Sequence, residues 1–174
     1  MQLSLCIICK DEEAKIQRCI ASVKEVVDEI VVVDTGSKDK TVEIAESEGA
    51  VIHRIEWEND FAKARNQALE KVKGKWVIFL DADEYVAKQS LPFIRSYISI
   101  GEERGFDVIL IDSINYNDSG ISNTLKLPKI FRRDDRMIYQ GAIHERLVHL
   151  DRQLKALDCS RDIIVFHDGF DSKV

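Results

Sequence analysis

Hydrophobic and polar positions alternate between two periods along the first two thirds of the chain. Residues 3–9, LSLCIIC, form a continuous apolar run, the mark of a strand buried on both faces. Residues 11–26 follow with Ile16, Cys19, Ile20 and Val23 at helical spacing and acids in the first turn, which predicts an amphipathic helix. The pattern then repeats: a strand over 29–34 (EIVVVD), a short helix over 37–49 closed by Gly49, and a strand over 50–55. A helix over 60–74 ends at Gly74, and a fourth strand covers 75–80 (KWVIFL). Strands alternating with helices predict βαβ units, a mostly parallel central sheet and helices on both of its faces. Right-handed crossovers then gather the functional loops at the carboxyl ends of the strands.

Beyond Asp83 the alternation loosens. Residues 90–105 read as a helix and 106–116 as a strand that 124–133 pairs with; 137–150 read as loop with short strands. A last strand over 162–170 stops at a histidine, and no domain boundary falls in this half, so 1–174 is one domain.

Composition narrows the function more than the fold. With 45% hydrophobic and 32% charged residues the chain is ordinary for a soluble globular protein. A net charge of -6 argues against nucleic acid as a partner. An acidic protein that handles phosphates needs local help, most simply a divalent cation. The N-terminus has no basic leader and its apolar run is too short to span a membrane, which places the expected location in the cytoplasm. Cys6, Cys9, Cys19 and Cys159 suit a reducing compartment; the odd separation of Cys6 and Cys9 sends them to opposite faces of a strand, as buried hydrophobes.

Three predicted strands end in chemistry-bearing residues. The second ends at Asp34 before Thr35-Gly36-Ser37, where a carboxylate either accepts hydrogen bonds from a base or ribose or merely organises a turn. The fourth ends in Asp81-Ala82-Asp83. In an extended segment these two carboxylates share a face about 7 Å apart, where their repulsion suggests Mg²⁺ or Mn²⁺ between them. The last ends at His167, a candidate third ligand for such a metal or, more blandly, a hydrogen-bonded strand end.

With LSLCIICKDEE, VVVDTGSKDKT, FAKARNQAL, LDADE, GAIHE and FHDGF in that order, the chain resembles family 2 glycosyltransferases of the GT-A (Rossmann-like) fold. Within that family it is similar to bacterial lipopolysaccharide-core and peptide glycosyltransferases. The resemblance implies inverting transfer of a sugar from a nucleotide-sugar, usually a UDP-sugar, with Mn²⁺ or Mg²⁺. Acceptors would be glycans, lipid-linked sugars or peptides of the cell envelope, met in the cytoplasm or at the inner membrane face. It implies nucleotide contacts from Cys9, Glu13, Asp34, Arg65, Asp81 and Ala82. Metal ligation would fall to Asp83 and His167, with Asp81 at the metal's hydration shell. Two departures stand out. The first motif lacks the usual Pro-Thr-Tyr-Asn wording, and the chain stops four residues after FHDGF, where relatives commonly continue. A catalytic core cut short of an acceptor or oligomerisation segment is the expectation, with a homo-oligomer left open.

Inverting transfer also needs a base for the acceptor. Glu145 is the first candidate and His144 the second, since a partly desolvated carboxylate is raised toward working pH; a structural pair between Glu145 and a cation is the competing reading. Two other enzymes fit poorly. A haloacid-dehalogenase phosphatase places its Asp-X-Asp after the first strand, and a dinucleotide-binding dehydrogenase needs glycines where CKDEE stands. The remaining alternative is a nucleotide-sugar-binding domain without turnover.

Overall fold

The computed structural model describes residues 2–117, 120–142 and 144–168. Its regular half follows the apolar runs closely: β1 (Leu3–Cys9), β2 (Glu29–Asp34), β3 (Val51–Arg54) and β4 (Trp76–Asp81) pair in parallel in the order β3-β2-β1-β4. β1 is central and buried along its whole length. Its Leu3, Leu5, Ile7 and Cys9 face one core, with α1 (Ile16–Val23), α2 (Thr41–Ser47) and α4 (Leu91–Arg104). Cys6 and Ile8 face the other, under α3 (Phe61–Leu69). Cys6 and Cys9 thus part to opposite faces, and all four thiols are free and buried. Each fully buried Leu or Ile here contributes roughly 1.5–3 kcal/mol, so Ile7→Ala strikes both the central strand and its helices.

α1 and α2 start later than their periodicity predicts, for a local reason. Instead of helix from residue 11, the stretch after β1 is stitched to the stretch after β2. Backbone N–H groups of Asp11, Glu12 and Glu13 donate to Ser37 Oγ (2.9 Å), Thr41 Oγ1 (2.7 Å) and Asp39 Oδ2 (3.0 Å). In return Asp11 Oδ1 accepts from Lys38 N–H (2.7 Å) and Glu13 Oε2 from Lys40 N–H (2.9 Å). Asp11 adopts a positive φ of 55° to do so. α3 begins where Asp60 caps it, accepting from Lys63 N–H at 2.9 Å.

The second half breaks the parallel order. β6 (Val108–Asn117) and β7 (Gly120–Arg132) form a long hairpin, and β7 inserts antiparallel between β4 and β6. β11 (Ile164–His167) lies parallel to β6, and β5 (Glu84–Val86) adds antiparallel to β11. β10 (Ala156–Asp158) also pairs with β6, while β8 (Met137–Gln140) and β9 (Arg146–His149) make a separate hairpin that packs on the α3 side. β5 and β10 were not expected from the periodicity. The sheet is still mostly parallel, with helices on both faces.

Candidate active site

The Asp81-Ala82-Asp83 segment is not extended. β4 ends at Asp81, Ala82 and Asp83 turn, and β5 starts at Glu84. The expectation that the two carboxylates share a strand face is therefore corrected: the turn sends them to different partners.

Asp81 meets cations. Arg65 donates from Nη2 to Asp81 Oδ1 at 2.8 Å and from Nε to Glu145 Oε1 at 2.6 Å. The guanidinium is buried, stacked 4.8 Å from the Phe79 ring centroid and 5.5 Å from that of Tyr139. On the other side Lys129 Nζ lies 3.3 Å from Asp81 Oδ2 and 2.6 Å from Glu84 Oε2, and Glu84 Oε2 accepts Asp81 N–H at 2.8 Å. Burial by itself would raise the Asp81 carboxyl. The charges of Lys129 and Arg65 outweigh that and hold it well below the usual carboxylate range. Burial, with Asp81's charge adding to it, pushes the Glu84 carboxyl upward.

Asp83 meets an imidazole. The rung that pairs His167 with Glu84 across β11 and β5 sets His167 Nε2 3.2 Å from Asp83 Oδ2. Asn115 donates from Nδ2 to Asn123 Oδ1, so its Oδ1 accepts from His167 Nδ1–H at 2.8 Å. Nε2 is then the nitrogen that faces Asp83, and the hydrogen bond to that carboxylate raises the imidazole above its ordinary value. A divalent cation can stand where that proton does. The surroundings favour it: Glu12 also lies near, its carboxyl raised by burial and then by Asp83's charge. Among the described residues no three His, Cys, Asp or Glu side chains converge on one point. Asp83 and His167 are two side chains that could share in holding a cation, whose remaining ligands would have to be water and substrate oxygens, as Mg²⁺ and Mn²⁺ allow. Both oxygens of Asp81 already accept from Arg65 and Lys129. Of the FHDGF motif, Gly169 and Phe170 lie outside the described residues, as does Ile143 of GAIHE.

These groups open on a cleft of 630 Å³ at the carboxyl ends of β1, β2 and β4. Cys9, Arg65, Asp81, Ala82, Asp83, His144, Glu145 and His167 all line it. Asp34 and Glu13 do not. Asp34 is buried beneath its own loop, accepting Gly36 N–H at 3.3 Å and Ser37 N–H at 3.0 Å, and Gly36 takes a φ of 109° that only glycine adopts cheaply. Glu13 is spent on Lys40. The Cys9 thiol is pushed up to about 12, by burial first and Asp34 next, so it presents a neutral S–H. The loop with His144 and Glu145 docks on α3 through Phe61 N–H to Ala142 C=O at 3.4 Å. Sequence reasoning missed Lys129, Glu12 and Asn115; Trp57 and Phe61, also on the cleft wall, pack edge to face 4.8 Å apart.

Residues 4–147 match the family described as Glycosyl transferase family 2. The chain belongs to that family. A TPR repeat-containing protein of Synechococcus elongatus is 38% identical over 144 residues, which are 83% of this chain and 35% of the relative. The prophage-derived glycosyltransferase SunS of Bacillus subtilis is 29% identical over 167 residues, 94% of this chain and 39% of SunS. The chain thus spans well under half the length of these curated relatives. Among solved structures, S. aureus TarS residues 1–349 with UDP-GlcNAc superposes at a TM-score of 0.63 and 21% identity, covering 91% of this chain and 58% of that one. Glucosyl-3-phosphoglycerate synthase of Mycobacterium tuberculosis, with Mn²⁺ and UDP-glucose, superposes at 0.53 and 25% identity over 66% of this chain and 43% of that one. The fold is that of the GT-A glycosyltransferases.

Proposed function

We propose that this glycosyltransferase domain binds a UDP-sugar in the 630 Å³ cleft and transfers its sugar, with inversion, to a hydroxyl or other nucleophile of a glycan, lipid-linked or peptide acceptor. The observation that carries this reading is the Asp83–His167 pair on the cleft wall, beside the Arg65–Glu145 pair. The UDP-GlcNAc seen in TarS and the Mn²⁺ with UDP-glucose in the mycobacterial synthase support it. Asp83 Oδ2 and His167 Nε2 would hold the cation, which when bound supplies Lewis-acid stabilisation of the leaving diphosphate. Asn115 keeps the His167 ring turned so that Nε2 faces Asp83.

Glu145 takes the acceptor proton, and Arg65 orients it through Nε; the Phe79 and Tyr139 rings hold Arg65 in place. Arg65 therefore acts on the acceptor side through Glu145, more than as a diphosphate clamp. The nucleoside lies along Cys9, Thr35 and Ala82, with Asp34 shaping the loop from beneath. Among the described residues no helix is long and apolar enough to cross a membrane. We place the protein in the cytoplasm, peripheral to the inner membrane where acceptors are lipid-linked.

A thermal-shift series with UDP, GDP, CDP and dTDP, with and without Mn²⁺, tests the donor reading. UDP with Mn²⁺ raises the melting temperature and Asp83→Ala abolishes the rise. Indifference to every nucleotide and metal overturns it. Tight UDP binding without hydrolysis or transfer of any UDP-sugar supports a binding domain instead.

A further inference from the structure

Lys129 does not line the cleft, yet its ammonium reaches both ends of the turn that carries Asp83. Its side chain is only 13% exposed and comes from β7, far from the turn in sequence. The backbone is built to deliver it. Ile109 pairs with Ile130 and Ile111 with Leu127, so Pro128 and Lys129 on β7 oppose the single residue Leu110 on β6. That is a bulge, a device that re-aims a side chain beside a site, and Pro128 has no N–H to lose from the ladder. The β4–β7 ladder also stops at the Ile78–Ile130 rung, one residue before Lys129, leaving its side chain beside the end of β4.

We propose that Lys129 is a positioning residue for the sugar-donor site: by gripping Asp81 and Glu84 together it fixes the turn so that Asp83 meets His167. This rests on the donor reading above. The electrostatics agree. Asp81, Glu84 and Glu145 face Arg65 and Lys129, so removal of Lys129 leaves three carboxylates to one guanidinium. Burial lowers the hold of the Lys129 ammonium on its proton, but Asp81 and Glu84 more than restore it, so it stays charged. A buried ion cluster is a poor way to stabilise a turn compared with apolar packing. Its value here is geometric: Asp81 N–H and Oδ2 and Glu84 Oε2 are all fixed by one ammonium and one backbone bond.

Calorimetric titration of the chain with UDP in Mn²⁺ decides the matter. Wild type is measured first; failure to bind overturns the donor reading and this proposal with it. Where wild type binds, Lys129→Met weakens Mn²⁺-dependent UDP binding about tenfold or more, the loss expected for charge-assisted hydrogen bonds. Lys129→Arg recovers part of that affinity. Val77→Ala, a core change on β4 that lowers the melting temperature, leaves UDP affinity as in wild type. Should Lys129→Met fail to fold, Lys129→Met with Glu84→Gln removes the ammonium and one opposing charge together, and is expected to fold yet bind weakly. The proposal falls if the methionine variant, or the double variant in its place, binds like wild type. It falls equally if arginine recovers nothing, or if Val77→Ala weakens binding as much.

Discussion

Asp81 and Asp83 are two residues apart and stand in opposite electrostatic settings. Asp81 is saturated by Arg65 and Lys129, which hold its carboxyl down. Asp83 faces an imidazole, with Glu12 close by. One Asp-X-Asp segment thus contains a carboxylate neutralised by the protein's own cations and another that faces a titratable imidazole. A carboxylate whose two oxygens are both held by the fold's own cations is architecture, and one that faces a titratable partner is where a ligand can enter.

The contrast can be broken from either side. The largest effect is expected from Arg65→Met, which takes from Glu145 its cation and leaves Asp81 to Lys129 alone. Loss of about 3 kcal/mol of stability is expected for an unpaired buried charge, measured by urea denaturation. Asp83→Ala is next: transfer or hydrolysis of UDP-sugar falls about a hundredfold, roughly 2.7 kcal/mol, while stability moves by less than about 0.5 kcal/mol. A large loss of stability in that variant would mean that Asp83 is as structural as Asp81.

The smallest effect comes from a carboxylate clamp placed in water. Asp28 accepts from Gln2 N–H at 2.8 Å, Leu3 N–H at 2.9 Å and Arg95 at 2.7 Å, with its side chain 33% exposed. The Arg95 hydrogen bond, then the two backbone bonds, draw its pKa from 3.8 to about 2. Because the folded value is the lower one, the stabilisation is complete above pH 3.8 and fades as pH falls through 2. Asp28→Asn should cost roughly 1 kcal/mol near neutrality and nothing below that window, read from paired urea melts.

The parallel half of the fold was legible because strands buried on both faces leave unbroken apolar runs, as in β1, β2 and β4. The other half was not, because β7 owes its place between β4 and β6 to partners that no local period encodes. Asp83 and His167 were legible as strand-end residues, but their meeting depends on β5, three residues long and hidden inside the turn. Asp34 was legible as a strand-end carboxylate, and it accepts from the Gly36 and Ser37 N–H groups of the loop that follows. Lys129 gave little signal: in KLPKIFRR it looks like one solvated cation among several, and only the proline before it hinted at a bulge.

The rung between β5 and β11 also has a temporal side. His167 reaches a residue 84 positions earlier in the chain, so a nascent polypeptide halted before residue 164 carries the regular parallel half but lacks the imidazole opposite Asp83. During synthesis, competence at this spot arrives as a late event, after the scaffold beneath it has had time to fold.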